Sequence, residues 1–275
     1  MKTRYKVAAV QVETTPEAST KEALTEKAVR LIEQTCEEWN VSAVCLNEWF
    51  NWEIPDKNTE RAEMEVVAES IPGPTTEKLS KAAKKYGIYL VGGTMLEKRE
   101  GKFYDSSPVI GPEGNLLGVA RLSRLPDTLI KYYVGAGLSA GDLNNRTYET
   151  EIGQIGVIID WEISSKEVWD SVKAKSQIIF IPLNWATRAA NTFWKLLPVY
   201  GSSCYVVAAN RAGLRRGVAE VGDLQYDGRS IIVNPGGNII AATSTATFRA
   251  WENVAAAMVD LSLTKVTGRD LPKVK

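Results

Sequence analysis

The sequence contains no histidine. Histidine is the commonest general base in enzymes and the commonest metal ligand, so we expect neither a metal site nor a cofactor. Cysteine is scarce as well, since the 275 residues include only three, an odd number without metal-type spacing. This count argues against a disulfide framework. Cys36, Cys45 and Cys204 lie in apolar segments, and we expect them to be buried free thiols.

The chain also lacks a net charge, because 33 lysines and arginines balance 33 aspartates and glutamates. Without a net field or a clustered basic stripe, nucleic-acid binding is disfavoured. The N-terminal apolar run is far shorter than a membrane-spanning helix and alternates like a strand, which argues against a signal peptide and a membrane anchor. We therefore expect a cytoplasmic protein whose ligand is a small molecule.

The two halves of the chain repeat one order of predicted elements: strand, helix, strand, helix, hairpin. The first half has a helix predicted from about Lys21 to Trp39, with apolar residues at helical spacing on one face. The clearest matched pair is VIGPEGNLLG and IVNPGGNIIA, each of which predicts a hairpin around proline and glycine. We interpret residues 1–275 as a single domain with an internal two-fold repeat.

The predicted strands are apolar on both faces, although the helices of each repeat cover only one face of its sheet. Two sheets stacked face to face, with the helices outside, bury all of these faces. The predicted fold class is therefore α/β, with a four-layer αββα sandwich.

Polar residues follow several buried strands at their carboxyl ends, where α/β sheets usually bind ligands. Glu48 follows one strand, Asp160 follows GVII, and Asn184 follows IFIPL. Asp160 has two interpretations that stay open, a turn cap and a functional carboxylate, although Ser164 and Glu167 already have capping-box spacing. If Asp160 is buried beside Glu48, one of the two carboxyl groups should hold its proton to higher pH than usual.

Several short segments resemble the nitrilase, or carbon-nitrogen hydrolase, superfamily in order and spacing over nearly the whole chain. They are KVAAVQVE, VCLNEWF, IYLVGG, VIGPEGNLLG, GQIGVIIDWEISSKE, IIFIPLNWA, YVVAANRAG and GRSIIVNPGGNIIA. The resemblance implies an αββα sandwich, in agreement with the repeat. It also implies acyl transfer by a glutamate, a lysine and a cysteine, and it implies that a homodimer forms.

The implied catalytic triad is disrupted in this chain. Glu48 occupies the glutamate position, Leu122 stands in ARLSRL where the lysine belongs, and Asp160 stands in IDWE where the cysteine belongs. Further departures occur at Ile130 and in PVYGSS, which contains Tyr200. We assign catalysis to Glu48 and Asp160; the predicted substrate-binding residues are Leu122, Ile130, Trp161, Asn184 and Tyr200.

Because the departures concentrate on the site while the turns and the core match, we interpret the chain as a nitrilase scaffold with a rebuilt active site, either a diverged pseudoenzyme or a deliberate redesign. Three functions stay open. The first is a residual carbon-nitrogen hydrolase, and we predict negligible activity of that kind. The second is an enzyme in which a carboxylate base acts in an apolar pocket. The third is a protein that binds or scaffolds without catalysis.

Overall fold

The computed structural model describes residues 2–14, 20–53, 59–124, 137–201, 203–218, 222–243 and 252–264 of the chain. Five α-helices lie within these ranges: α1 (Lys21–Trp39), α2 (Arg61–Val67), α3 (Pro74–Tyr86), α4 (Lys166–Lys173) and α5 (Thr187–Tyr200). The strands in the same ranges are β1 (Arg4–Gln11), β2 (Ala43–Leu46), β3 (Tyr89–Val91), β4 (Met95–Arg99), β5 (Lys102–Ile110), β6 (Leu116–Arg121), β7 (Thr147–Thr150), β8 (Gly153–Val157), β9 (Ile178–Leu183), β10 (Tyr205–Asn210), β11 (Ala212–Val218), β12 (Gly222–Asp227), β13 (Ile231–Val233), β14 (Ile239–Ala242) and β15 (Asn253–Asp260). The described ranges also contain two 3-10 helices, Asp160–Ser164 and Leu261–Leu263.

The two large sheets share one topology. In the first, the strand order is β15-β1-β2-β3-β5-β4, and β6 also pairs with β5. In the second, the order is β14-β13-β10-β9-β8-β7. Each sheet has three parallel strands (β1, β2, β3 and β8, β9, β10) followed by an antiparallel hairpin, β5 with β6 and β13 with β14. This topology confirms the predicted two-fold repeat.

The sheets stack face to face around one apolar cluster. Val7 and Cys45 from the first sheet and Val157, Phe180 and Val207 from the second all belong to it, and all are fully buried. A second cluster lies between the first sheet and helices α1 and α3, and a third lies between the second sheet and helices α4 and α5. The order of layers is therefore helix, sheet, sheet, helix, as the sequence predicted.

Helix α1 begins and ends where the apolar spacing places it, at Lys21 and Trp39. The Thr20 side chain caps its start by accepting a hydrogen bond from the Ala23 amide, which satisfies one of the free amides of the first turn. Asn40 ends the helix in the left-handed conformation that asparagine tolerates. Leu24, Ala28, Ile32 and Cys36 are buried on the face toward the first sheet.

Helix α5 spans Thr187–Tyr200 and contains Pro198 in its interior. The cap predicted for the helix after β8 is corrected by the structure. Ser164 does not cap α4, because it lies in the preceding 3-10 helix and its hydroxyl donates to the Trp161 carbonyl. The cap is Ser165, whose side chain accepts a hydrogen bond from the Val168 amide.

Among the described helices, none combines the length and the apolar character needed to cross a membrane.

Candidate active site

Glu48 lies just beyond the carboxyl end of β2 and is fully buried. Its amide donates to the Leu183 carbonyl at 3.2 Å, which ties the end of the first sheet to the end of β9. The next residue, Trp49, has a φ of 50°, in the left-handed region that is costly for a bulky side chain. The Trp49 amide donates to the Thr94 hydroxyl at 3.0 Å, so the turn is held by a second segment.

Gly93 allows that second segment to approach. A Cβ atom at position 93 would lie 2.3 Å from the Asn47 carbonyl oxygen, and the residue has a φ of 62°. Only glycine accepts both conditions without strain. The close contact places the loop between β3 and β4 directly against the residues that carry Glu48.

Asp160 opens the 3-10 helix that follows β8, and it is 1% exposed. Its φ of 38° is a second left-handed conformation at this edge of the sandwich. Such strain persists only where neighbouring contacts hold the chain, and it concentrates at functional sites. One carboxyl oxygen accepts the Asn184 amide at 3.0 Å, and the Trp185 indole N–H also faces the carboxyl group. Asp160 therefore joins the ends of β8 and β9, and it does not cap α4.

A third buried carboxyl group, Asp105, completes the cluster. It lies on β5 at 2% exposure, within hydrogen-bonding reach of Glu48. Two ionised carboxylates have no proton to share, so this hydrogen bond forms when Glu48 is protonated and donates to Asp105. We call Glu48, Asp105 and Asp160 the carboxyl cluster.

Burial raises the pKa of every member of the carboxyl cluster. The pKa of Glu48 lies well above its usual range, chiefly through burial and further through the negative charges of Asp160 and Asp105. Burial raises the pKa of Asp105 to about 6, although the hydrogen bond from Glu48 opposes the rise. Burial also raises the pKa of Asp160 to about 8, against the hydrogen bond from the Asn184 amide. At neutral pH the cluster therefore retains protons that exposed acids would have lost, as the sequence predicted for Glu48 and Asp160.

Glu162, two residues after Asp160, holds the 3-10 helix in place through its side chain. Its carboxylate pairs with Arg146 at 2.7 Å, and both side chains are almost completely buried. It also accepts hydrogen bonds from the Ser123 amide and hydroxyl, each at 2.7 Å, and from the Ile159 amide at 2.9 Å. These contacts join the end of β6 to the end of β8. They therefore hold the segments that contain Leu122 and Asp160 next to each other.

The predicted substrate-binding residues divide into three groups. Leu122 is buried and its amide donates to the Asp105 carbonyl at 2.9 Å, Trp161 stacks against Trp185 with ring centroids 4.4 Å apart, and Asn184 bonds Asp160. The structure thus places these three beside the cluster. Tyr200 instead packs against Trp169 in the helix layer, with ring centroids 5.7 Å apart. The structure therefore shows a packing contact for Tyr200, and its role in substrate binding stays a prediction. Ile130 lies outside the described residues.

Three arginines that lie at or after the ends of strands serve as ion-pair partners. Arg121 pairs with Glu97 at 2.6 Å, Arg124 pairs with Glu167 at 3.1 Å, and Arg211 pairs with Glu53 through two hydrogen bonds. Lys195 on α5 is exposed to solvent, so it lacks the desolvation that would activate a lysine as a nucleophile.

All three cysteines are free and buried, as predicted. Burial raises the pKa of Cys36 to about 11 and that of Cys204 to about 12, and it raises the pKa of Cys45 further still. A thiol in such surroundings is a poor nucleophile because the reactive form is the thiolate. Within the described ranges, no group of three or more cysteine, aspartate or glutamate side chains is arranged to hold a metal ion.

Sequence reasoning selected Glu48 and Asp160 as candidates. It did not select Asp105, Glu162, Arg146 or Trp185, which the structure places beside them. A signal for Asp105 was present, since it is the one charged side chain in the segment FYDSSPVI. No pattern marks Arg146, which lies outside the named strands, just before β7.

Comparison with known proteins extends these observations. The family model described as carbon-nitrogen hydrolase matches residues 6–269. The omega-amidase NIT2 of Xenopus tropicalis is 31% identical over 243 residues, covering 86% of this chain and 82% of that protein. The omega-amidase NIT2 of Danio rerio is 31% identical over 216 residues, covering 76% of this chain and 74% of that protein.

Solved structures show the same fold. A carbon-nitrogen hydrolase from Helicobacter pylori G27 superposes with a TM-score of 0.82 at 19% identity, covering 94% of this chain and 90% of that one. Saccharomyces cerevisiae Nit3, a member of branch 10 of the nitrilase superfamily, superposes with a TM-score of 0.76 at 23% identity, covering 96% and 92% of the two chains. At these identities the likeness concerns the fold alone.

Proposed function

Because this chain belongs to the carbon-nitrogen hydrolase family, we propose that it binds a small molecule within that scaffold and transfers protons through carboxyl groups, without the thiol chemistry that its resemblance implies. The observation that carries the proposal is the buried carboxyl cluster of Glu48, Asp105 and Asp160 at the ends of β2, in β5 and after β8. On this proposal the triad is disrupted at Leu122 and Asp160, by divergence or by redesign.

Covalent hydrolysis of an amide requires a nucleophile that forms a stable acyl intermediate and a cation that stabilises the oxyanion. An aspartate that accepted the acyl group would form a labile anhydride. A leucine at position 122 supplies no positive charge. The high pKa values of the three cysteines disfavour a substitute thiolate.

Proton transfer, by contrast, suits the cluster. General acid–base catalysis is most efficient when the pKa of the group lies near the working pH, and burial brings Asp160 to about 8. Glu48 and Asp105 hold a proton between them, so the pair acts as a local store beside Asp160. In this proposal Asp160 exchanges a proton with the bound molecule, and Glu48 and Asp105 adjust the charge of the site.

The test of the acid–base role uses 5-nitrobenzisoxazole, a general probe whose ring opens when a base removes its carbon-bound proton. The reaction is monitored by absorbance. We expect its rate to rise with pH around the pKa of Asp160, which is about 8. The variant Asp160→Asn should lose this ionisation from the pH–rate profile. An unchanged profile in the variant would remove Asp160 from the role.

The test of the lost thiol chemistry measures ammonia released from ω-amides and nitriles. We expect the wild type to release no ammonia above background, whether or not it has been treated with iodoacetamide. The double variant Asp160→Cys, Leu122→Lys should gain release, because it returns a thiol and a cation to the positions that the resemblance implies. Wild-type hydrolysis that Asp160→Ala abolishes would overturn the proposal.

A second candidate is residual amide hydrolysis, and the names of the relatives favour it, since they are omega-amidases. In this case a carboxylate of the cluster would activate water directly, and ammonia release would resist iodoacetamide but disappear in Asp160→Ala. The same assay therefore separates the two candidates.

We further propose, from the resemblance, that the chain forms a homodimer and resides in the cytoplasm. Sedimentation equilibrium measures the molar mass in solution and therefore tests the homodimer.

A further inference from the structure

Five oxygen atoms at the candidate site have no partner in good hydrogen-bond geometry among the described residues, although Glu48 and the Thr94 hydroxyl both lie near Asp105. They are both carboxyl oxygens of Glu48, both of Asp105, and the side-chain oxygen of Asn184. Such atoms are rare in folded proteins, because a buried acceptor without a donor has lost its water without replacement. A hydrogen shared between Glu48 and Asp105 satisfies only one pair of them. The remaining acceptors call for donors from a ligand.

Asn184 provides evidence independent of the acidic residues. It is 9% exposed, and its amide bonds Asp160 at 3.0 Å. Along β9, Phe180 belongs to the apolar cluster between the sheets, and the alternation of side chains continues through Pro182 to Asn184. The unpartnered oxygen of Asn184 therefore lies on the face of the sheet that looks toward the ends of the first sheet, where Glu48 lies.

The charges around the carboxyl cluster are not balanced. The two nearby arginines, Arg146 and Arg211, are engaged by the carboxylates of Glu162 and Glu53. In the described part of the chain, no lysine or arginine forms an ion pair with a member of the cluster. The positive charges of Arg211 and Arg146 favour the ionised forms of Glu48 and Asp105 only in part, since burial still raises both pKa values. Every proton that the cluster loses therefore adds a buried negative charge, which is costly in a low dielectric.

Aromatic rings border the same site. Trp161 and Trp185 lie with ring centroids 4.4 Å apart beside Asp160, and the fully buried Trp49 follows Glu48. The face of an indole ring attracts cations, most strongly where water is excluded.

We propose that the candidate site binds a small organic cation with several N–H donors, of the amidinium or primary ammonium class, between the carboxyl cluster and the Asn184 oxygen. This inference rests on the proposed function, since it assigns a ligand class to the same cluster. It predicts that small anions such as carboxylates bind less tightly, because they would add negative charge beside three buried carboxyl groups.

Cation binding and proton release are linked at this site. A cation favours ionised carboxyl groups, whereas burial raises the pKa of Asp160 to about 8. Binding at neutral pH therefore displaces a proton, and the affinity should rise as the pH rises toward 8. The charged and titratable groups that act on the cluster from the elements around it are Glu48, Asp105, Asp160, Glu162, Arg146 and Arg211.

The experiment compares three probes of one shape and different charge: acetamidinium, acetamide and acetate. Each is titrated into the full chain at constant ionic strength, and the indole N–H signals are followed by NMR. We expect acetamidinium to bind at least about tenfold more tightly than acetamide or acetate, and its affinity to rise up to about tenfold per pH unit between about pH 6 and pH 7. Calorimetry in buffers of different ionisation enthalpy should show about one proton released per cation bound.

Two variants and one control locate the binding. Asp160→Asn keeps an acceptor for the Asn184 amide, and Glu48→Gln keeps the shape of the side chain but removes its ability to ionise when a cation binds. Each variant should weaken acetamidinium binding about tenfold or more, which corresponds to about one pKa unit. Glu113→Gln, on the exposed hairpin between β5 and β6, should leave it unchanged.

The outcomes separate this inference from the proposed function. Equal or tighter binding of acetamide or acetate, or no binding of any probe, would overturn the cation class while the benzisoxazole profile still tests the acid–base role. Acetamidinium binding that survives in both Asp160→Asn and Glu48→Gln would place the cation elsewhere and would overturn the inference as well. A tight, pH-dependent cation site combined with an unchanged benzisoxazole profile would support the inference and reject catalysis by Asp160.

Discussion

At the scale of single residues, Asp160 combines a strained backbone with a buried carboxyl group. Its φ of 38° is an unfavourable backbone conformation for an aspartate, and its exposure of 1% is unfavourable for an ionised carboxyl group. The hydrogen bond from the Asn184 amide holds it in place. Burial raises its pKa to about 8, whereas an unfolded aspartate has a pKa of about 3.9. Between these two values the folded chain binds more protons than the unfolded chain.

This difference predicts how stability depends on pH. The contribution of Asp160 to the free energy of unfolding is fully present below about pH 4 and declines as the pH rises to about 8, with a slope approaching about 1.4 kcal/mol per pH unit. Asp160→Asn should flatten this decline and make the variant more stable than the wild type above about pH 8. Urea denaturation at a series of pH values measures the effect. Parallel curves for the two proteins would contradict the buried, protonated state of Asp160.

The ion pair of Glu162 with Arg146 makes a second prediction at this scale. Both side chains are buried, at 0% and 2% exposure, so Glu162→Gln leaves an arginine charge without a partner. We expect the free energy of unfolding to fall by about 3–5 kcal/mol.

The matched control is Glu167→Gln, five residues later. Glu167 also pairs with an arginine, Arg124, but the two side chains are 61% and 50% exposed. Its loss should cost no more than about 1 kcal/mol. Equal effects of the two variants in urea denaturation would show that Glu162 does not anchor the turn.

At the scale of elements, the helices differ in how well their sequences suit them. Helix α1 has a capping threonine, an apolar face and a left-handed asparagine at its end. Helix α5 contains Pro198 in its interior, two residues before its last residue, Tyr200. A proline there has no N–H to donate to the carbonyl four residues before it, and its ring crowds that carbonyl.

Pro198→Ala should therefore raise the free energy of unfolding by about 1–3 kcal/mol, which denaturation measures directly. Pro74→Ala is the control, because Pro74 is the first residue of α3, where the missing N–H has no helical partner in any case. That variant should be neutral or up to about 1 kcal/mol less stable. A stabilisation of equal size at both positions would contradict the structural reason given for Pro198.

Some elements were easier to predict from the sequence than others. The bounds of α1 followed from apolar spacing, and the hairpins followed from proline and glycine in their turns. The segment between Asp160 and Ser165 was less predictable. It contains two adjacent serines, and either one could begin a helix; the contacts of Glu162 and Trp161 decide that the 3-10 helix comes first.

At the scale of the whole molecule, the apolar cluster between the sheets joins the two repeats. Phe180 is fully buried in it, on a strand that pairs with both β8 and β10. Phe180→Ala should lower the free energy of unfolding by about 3–5 kcal/mol, because it removes a large side chain from a packed interior. Met258→Ala, on the edge strand β15 and 53% exposed, should change it by less than about 0.5 kcal/mol. Urea denaturation measures both variants. An equal loss of unfolding free energy in the two would contradict the placement of the core.

The sequence by itself determined the repeat, the sandwich and the family, because these depend on periodic apolar residues and on turn residues that act over short stretches. It also selected Glu48 and Asp160 as candidates, since both follow buried strands. Asp105 could not be placed in the same way, because a strand with Ser106, Ser107 and Pro108 has no clear inner face.

Only the tertiary structure decided which carboxyl groups share one buried space. Glu48, Asp105 and Asp160 come from segments far apart in the chain, and the stacking of the two sheets sets the distances among them. The same stacking removes water from the cluster, whose three members are almost completely buried. Proton affinity depends on burial and on neighbouring charge, and neither quantity is a property of a local sequence pattern.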